Sequence, residues 1–227
     1  MDLDWTALGL SLKVAGWATL INLVLGVGLG ALLARRRFPG REVLDTVLTL
    51  PMVLPPTVLG YYLLVLIGRN GPLGGWLQAT FGVNLVFTWQ AAVIAAAIAS
   101  LPLVFKPARA AFEGVDRQLE QAARTLGLTE AAVFFRVTLP LAWRGILAGV
   151  LLAFARAMGE FGATLMVAGS IPGRTQTLSI AIYEAVQSGQ DGRANALVIL
   201  TSVVCIGVLL LASRLVGGRR RGVRDVA

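Results

Sequence analysis

Residues 14–34 read VAGWATLINLVLGVGLGALLA, an apolar run without a charged side chain. The hydrocarbon core of a bilayer is about 30 Å thick, so a helix needs roughly 20 residues to cross it. The run is followed by Arg35, Arg36 and Arg37, and it has neither the basic region nor the small-residue cleavage site of a signal peptide. We therefore expect a retained membrane-spanning helix.

Four further apolar stretches have the length of a membrane span. The chain of 227 residues is 56% hydrophobic and 14% charged, with a mean hydropathy of +0.76, whereas an average soluble domain has about 25% charged residues. The sequence therefore predicts an all-α integral membrane protein, a single domain over residues 1–227. The predicted spans are about 14–34, 43–67, 89–105, 145–167 and 196–212, and the longest segment between them is 106–144.

The chain lacks the side chains that most catalytic sites need. It has no histidine and one cysteine, Cys205, which excludes zinc sites, disulfides and Ser-His or Cys-His nucleophiles. Neither Lys13 nor Lys106 belongs to a Gly-Lys-Ser/Thr phosphate loop. We expect no metal and no cofactor on this chain, so any ATP and Mg²⁺ must bind a partner subunit. An intramembrane hydrolase is an alternative that lacks a suitable base.

Lysine and arginine are concentrated on one side of the predicted spans. They follow span 1, recur through 106–144 and follow span 5, and basic loops stay in the cytoplasm. This places the N-terminus outside and the C-terminus inside a bacterial cytoplasmic membrane, with lipid around the spans. The net charge of +8 then reflects the basic residues of the cytoplasmic loops. No nucleic acid is expected as a partner. The C-terminal basic residues include Arg219, Arg220, Arg221 and Arg224.

The segment 106–144 is too polar to span a membrane and predicts two short helices. Asp116 can cap the first, and Gly127 can supply a left-handed turn after it. Thr129 can cap the second, which would end before Pro140. Such a compact knob suits insertion into another protein, although an amphipathic helix lying on the membrane surface would show the same pattern.

This segment resembles a known signature. Gln121-Ala122-Ala123-x3-Gly127-x9-Val137-x-Leu139-Pro140 is similar to Glu-Ala-Ala-x3-Gly-x9-Ile-x-Leu-Pro, the "EAA" loop of permease subunits in bacterial ABC importers. Glutamine and valine stand where the family usually has glutamate and isoleucine, which leaves open whether the preceding Glu120 makes the expected charged contact. The resemblance implies a five-helix bundle of the ABC type I importer permease class with a cytoplasmic coupling helix. The implied ATPase-coupling residues are Glu120, Gln121, Ala122, Ala123, Gly127, Val137, Leu139 and Pro140.

Two further stretches resemble the molybdate permease branch of that family. They are LPMVLPPTVLG at residues 50–60, and ARAMGEFGAT at 155–164 followed by IPGRTQTL at 171–178. The resemblance implies a molybdate importer, with tungstate or sulfate/thiosulfate as alternative substrates. It also implies an ABC ATP-binding subunit, an extracytoplasmic oxyanion-binding protein and a second permease copy, giving a homodimer. A stand-alone channel or secondary transporter would have no ATPase to engage.

The three prolines that open span 2 predict a bent helix. Proline removes a backbone donor, and carbonyls freed at membrane depth must face protein or a water-lined cavity. A bent helix could therefore line a path. The alternative is a proline-rich approach outside the hydrocarbon, with the true span starting near Thr57. The prolines are Pro51, Pro55 and Pro56.

Arg156 and Glu160 lie four residues apart and therefore share a helix face within span 4. Charges inside a membrane are costly, and they mark either a translocation path or a structural ion pair. The residues alone do not separate these possibilities. The candidate path residues are Pro51, Pro55, Pro56, Thr57, Arg156, Gly159, Glu160 and Gly162.

Two stripes of small residues predict helix packing, within the subunit or across a dimer. They are Gly26-x3-Gly30 and Ala91-x3-Ala95-x3-Ala99. The segment 177–187 is apolar but too short to span, and we expect a short external helix there.

Overall fold

A computed structural model describes residues 5–217 of the chain, and all regular structure in this part is helical. One element, Phe134–Thr138, is a π-helical turn. The α-helices are α1 Trp5–Arg35, α2 Arg41–Val53, α3 Pro56–Ile67, α4 Pro72–Phe81, α5 Trp89–Glu113, α6 Arg117–Thr125, α7 Glu130–Val133, α8 Leu139–Met158, α9 Gly162–Ala168, α10 Leu178–Gln187 and α11 Asp191–Gly217.

Helix α5 is the centre of the molecule. It packs against α1 on one side and α8 on another, and it also meets α2 and α9. Its alanines let neighbouring backbones approach closely, which is how helices gain contact in a membrane. The predicted alanine stripe is buried within the subunit: Ala91, Ala95 and Ala99 are at most 6% exposed.

The glycine stripe of α1 faces the same helix. A Cβ on Gly26 would lie 2.9 Å from Cβ of Val104, and a Cβ on Gly30 would lie 2.9 Å from the backbone N of Arg109. Gly28, between them, has no neighbour within 4 Å. The stripe therefore packs inside the subunit, and only glycine fits at its two contact positions.

A buried polar group ties α1 to α5 at mid-height. Asn22 is 1% exposed, and its Nδ2 donates to the carbonyl of Ala97 and to Oγ of Ser100, both at 2.9 Å. A buried amide without partners would be costly, so these bonds also fix the register of the two helices.

The stretch predicted as span 2 is broken into two helices. Leu54 and Pro55 are extended, with ψ of 140° and 138°, because the residue before a proline is driven out of the helical region. The segment Arg41–Val53 and the segment Pro56–Phe81 meet at 115°. The predicted bend is confirmed, and it is far sharper than a kink.

The stretch predicted as span 4 begins earlier and is also interrupted. A continuous helical segment runs from Glu130 to Met158, and the chain breaks at residues 159–161 before α9. The sequence predicted that the second loop helix ends before Pro140, and this prediction is wrong. Instead the π-helical turn, with Leu139 N–H donating to the carbonyl of Phe134, lets the helix continue past a proline that has no N–H of its own.

The loop expected on the cytoplasmic side is therefore shorter than the predicted 106–144. Its first residues extend α5 to Glu113, and its last residues belong to α8, leaving 114–138 as the projecting part. Within residues 5–217, helices α1, α5, α7–α8 and α11 are each long and apolar enough to cross a membrane, and the bent pair, counted as one span, brings the number of candidate spans to 5. The arginines after residue 217 lie outside the described residues.

The apolar segment 177–187 forms α10, which packs against α11 and α1. Its N-cap, Thr177, makes no side-chain capping bond. Ser11 of α1 supplies that bond, because its Oγ accepts from the N–H of Leu178 at 2.7 Å.

Candidate functional site

The projecting loop is shaped by caps that the sequence predicted. Asp116 accepts from the N–H of Gln118 at 2.8 Å, and Thr129 accepts from the N–H of Ala132 at 3.3 Å. At the end of α6 the N–H of Gly127 donates to Arg124 and that of Leu128 to Ala123, the pair of bonds of a Schellman motif. Gly127 has a φ of 84°, which glycine adopts without the cost other residues bear.

The outer face of α6 and its C-cap carries exposed apolar side chains among polar ones. Leu119 is 49% exposed and Leu126 is 83% exposed, and Gln121 and Ala122 are also exposed. Ala123, the next residue, is 6% exposed and turns toward the rest of the chain, so the Ala122–Ala123 pair of the signature is half exposed and half buried. The exposed part is the one available to a partner.

Glu120 does not belong to that outer face. Its carboxylate accepts from Arg35 at the end of α1 and, at 2.5 Å, from the hydroxyl of Thr138 in the π-helical turn. Arg124 is near it at 3.7 Å, while the hydrogen bond of Arg124 with Glu130 raises the pKa of the Arg124 guanidinium. The charged contact of Glu120 is thus made inside the chain.

The later positions of the loop signature anchor the loop. Val137 and Leu139 are partly buried, and Pro140 is exposed in the first turn of α8. Leu139 packs against a cluster that contains Phe112 and Ile146. These residues hold the base of the loop, whereas the first positions of the signature lie at its tip.

A second site surrounds the break between α8 and α9. A cavity of about 510 Å³ is lined by Pro56 and Thr57 from the start of α3 and by the segment around the break. The lining residues of that segment are Ala155, Arg156, Gly159, Glu160, Phe161 and Gly162.

The charged pair predicted from spacing is formed at this cavity. Arg156 Nη1 and Glu160 Oε2 are 2.6 Å apart, and the two side chains are 38% and 2% exposed. The other carboxylate oxygen of Glu160 accepts from the N–H of Ala163 at 3.0 Å, in the first turn of α9. Glu160 therefore joins α8 to α9 and caps α9 at the same time.

The Arg156 guanidinium is left with free donors. Among residues 5–217 its one hydrogen-bond partner is Glu160, and arginine carries five N–H groups in a rigid fork suited to oxyanions. The cavity thus contains one partly exposed cation beside a buried acid and the hydroxyl-bearing Thr57. A guanidinium with free donors beside a hydroxyl is an arrangement that can bind an anion.

The broken second span reaches this cavity through close packing. A Cβ on Gly162 would lie 2.8 Å from Cβ of Pro56, so α3 starts directly against α9. Pro55 and Pro56 are exposed beside the cavity, and Pro51 lies farther back within α2 and outside the lining. Gly159 ends α8 and lines the cavity. Seven of the eight sequence-predicted path residues are therefore gathered here or directly beside it.

One charged network, centred on Asp45 and Glu113, was not predicted from the sequence. Asp45 of α2 contacts Lys106 at 2.5 Å and Arg109 at 2.6 Å, and Glu113 contacts Arg109 and Arg41, both at 2.9 Å. It ties the first half of the broken span to the end of α5. The spacing of Arg109 and Glu113 was the only signal available, because the other partners are far apart in the chain.

Residues 26–221 match the family model described as the binding-protein-dependent transport system inner membrane component. This chain belongs to that family. Its relatives include the molybdenum transport system permease protein ModB of Escherichia coli K12, 48% identical over 92% of each chain. ModB of Haemophilus influenzae is 42% identical over 93% of this chain and 92% of its own. The sulfate transport system permease protein CysW of Synechocystis is 37% identical over 91% of this chain and 74% of its own.

The fold of this inner membrane component also matches solved ABC transporters. It resembles a chain of the MetNI methionine ABC transporter in an inward facing conformation, with a TM-score of 0.71, 17% identity and 95% coverage of both chains. It resembles a chain of a bacterial alginate ABC transporter, with a TM-score of 0.78, 16% identity and coverage of 97% of this chain and 82% of the other. The predicted fold class, a helical membrane protein of the ABC type I importer permease class, is thus confirmed.

Proposed function

We propose that this chain is the permease subunit of an ATP-driven ABC importer for molybdate. The observation that carries the proposal is the 48% identity over 211 residues with a molybdenum transport permease. The cavity at the break between α8 and α9 fits this function, since it offers a guanidinium to a dianion.

We propose molybdate rather than sulfate as the cargo because this chain is more similar in sequence to a molybdenum permease than to the sulfate permeases. The sulfate permeases of Synechocystis and Chlamydomonas reinhardtii are 37% and 38% identical, against 48% for the molybdenum permease. Tungstate has the charge and shape of molybdate, so we expect the site to admit both oxyanions.

The outer face of α6 is the proposed docking surface for an ATP-binding subunit. Leu119, Ala122 and Leu126 offer exposed apolar surface at the tip of the loop, and burying such surface is the main favourable term in association. The partner would bind ATP and Mg²⁺, because this chain has no phosphate loop. Movement of the ATPases would then open the cavity alternately to the two sides of the membrane.

The assembly would contain two copies of this chain and receive its cargo from an oxyanion-binding protein outside the cell. The distribution of arginines supports an external N-terminus and a cytoplasmic α6. A transport site must release what it admits, so moderate affinity is expected. Glu160 supports this, because it already neutralises part of the Arg156 charge.

The test is uptake of labelled molybdate in cells that lack the gene, complemented with wild type, Arg156→Gln or the control Arg174→Gln. Arg174 is exposed and lies outside the cavity. We expect uptake with wild type and the control, competition by tungstate and none by sulfate, and loss of uptake with Arg156→Gln. A fall of sulfate uptake with unchanged molybdate uptake on deletion would refute the molybdate assignment. Normal uptake with Arg156→Gln would remove this arginine from the path.

A further inference from the structure

The coupling helix α6 is tied to the membrane helices by a closed set of polar contacts. Arg35 Nη2 donates to Glu120 and also to Thr138 Oγ1, the latter at 2.5 Å. The hydroxyl of Thr138 donates to Glu120 Oε1 at 2.5 Å. Each member therefore contacts the two others, and we call these three residues the clamp.

The clamp joins the end of α1 to two elements of the projecting loop, α6 and the π-helical turn. Arg35 is the last residue of α1, Glu120 lies in the middle of α6, and Thr138 ends the π-helical turn that leads into α8. Glu120 and Arg35 are 85 residues apart in the chain. Movement of α6 is thus connected directly to the ends of two long helices.

The clamp is shielded from solvent on its inner side. Thr138 is fully buried, and the Glu120 side chain is 14% exposed. The Arg35 guanidinium also lies over the ring of Phe134, 5.1 Å from its centroid, a cation–π distance. Charge-assisted bonds with buried partners are stronger and more directional than surface ion pairs, so the clamp can hold a defined geometry.

The π-helical turn connects the clamp to α8. Such turns are rare, occur often at functional sites and disturb the regular helical bonding. Here the turn lies between the loop and α8, and the same α8 carries Arg156 near its other end. A shift of α6 through Thr138 would therefore act on the helix that bears the proposed substrate arginine.

We propose that Glu120 is the positioning residue through which the coupling helix moves α1 and α8. The proposal rests on the proposed function, because it assumes that α6 docks on an ATPase. The exposed face of α6 would make the docking contact, and Glu120, on its inner side, would pass the movement on. Loss of Glu120 should then separate ATP hydrolysis from transport without preventing assembly.

The experiment uses the full permease with its ATP-binding subunit and binding protein in proteoliposomes, comparing wild type and Glu120→Ala. Molybdate uptake and ATP hydrolysis are measured in the same sample. We expect uptake per ATP to fall about tenfold in Glu120→Ala, because tenfold corresponds to about 1.4 kcal/mol, close to the contribution of one charge-assisted hydrogen bond. The matched control is Glu130→Ala in the same loop, whose acid is 71% exposed and pairs with Arg124. It should leave the ratio unchanged.

The exchange Arg35→Glu with Glu120→Arg tests the clamp itself. A hydroxyl can accept from one neighbour and donate to the other, so Thr138 can serve the exchanged pair as it serves the native one. We expect the double variant to recover most of the ratio that each single variant loses. Failure to recover while the single variants remain uncoupled would overturn the clamp and leave Glu120 with another role.

A distance measurement separates this proposal from the substrate assignment. Spin labels on α6 at Gln118 and on α1 at Leu32 should give a narrow distance distribution that broadens in Glu120→Ala, whatever the cargo. An unchanged distribution and an unchanged ratio would refute the proposal. Loss of co-purification with the ATPase would make Glu120 a docking residue and would also refute it. Absence of molybdate uptake in wild type, with the distribution broadening as expected, would refute the proposed cargo alone.

Discussion

The two tasks of Glu160 can be separated by two substitutions. Glu160→Gln keeps a carbonyl oxygen that can accept from the N–H of Ala163, but it removes the charge that faces Arg156. Glu160→Ala removes both the charge and the cap of α9. The difference between the two variants therefore measures the cap, and the difference between wild type and Glu160→Gln measures the charge.

The expected sizes follow from the geometry. A hydrogen bond to a charged group contributes about 1.5–3 kcal/mol, and partial exposure of the arginine lowers this, so Glu160→Gln should cost about 1–2 kcal/mol. Loss of the cap adds about 1 kcal/mol and leaves the N–H of Ala163 buried without a partner. At about 2–4 °C per kcal/mol for a chain of this length, Glu160→Ala should melt several degrees below Glu160→Gln.

Thermal melting in detergent measures the stability of the three proteins, and uptake kinetics in proteoliposomes measure their transport. Glu160→Gln should bind oxyanion more tightly, with a lower KM, because the Arg156 charge is no longer neutralised, and a lower kcat because release is slower. Equal melting temperatures for the two variants would refute the capping role. An unchanged KM in Glu160→Gln would refute the view that this carboxylate limits the hold of Arg156 on the anion.

Three further predictions test the packing, the loop and the topology. Gly26→Ala should destabilise the protein by about 1–3 kcal/mol through overpacking against α5, while Gly28→Ala, which has open space around it, should not; equal melting temperatures would contradict the close contact. Gly127→Val should lose uptake because a β-branched residue resists a positive φ, whereas Gly127→Asn, which tolerates that conformation, should keep it; transport by both variants would show that the turn is dispensable. In a background without the native cysteine, an impermeant thiol reagent added outside should label Asn84→Cys and spare Gln118→Cys, and the reverse result would invert the orientation.

Local features of this protein were predictable because they depend on residues close in sequence. Asp116 and Thr129 cap their helices, and Gly127 takes the left-handed conformation, as the spacing indicated. Arg156 and Glu160 meet because four residues make about one helical turn. The apolar runs also predicted most of the long helices, since burial in lipid requires length and lack of charge and little else.

Positions at which the chain changes direction were harder to place. The prolines of the second span predicted a bend. The angle of 115° depends on how α3 packs against α9, where Pro56 contacts Gly162. The predicted end of the second loop helix before Pro140 was wrong, because a π-helical turn lets the helix continue past the proline. The sequence shows the proline, but it does not show the change to π-helical hydrogen bonding that accommodates it.

The membrane class, the approximate positions of the apolar helices, the caps of the loop and the local ion pair are legible in the amino-acid sequence, because each is governed by periodicity or by side chains within one turn. The contacts of Glu120 with Arg35 and Thr138, and those of Asp45 with Lys106 and Arg109, appear only once the helices are packed. Those partners lie on different helices, and which of them meet depends on the register of α1, α2 and α5. The register of α1 on α5 is set by close contacts such as Gly26 on Val104 and by the hydrogen bonds of Asn22, between residues 75 to 78 apart in the chain.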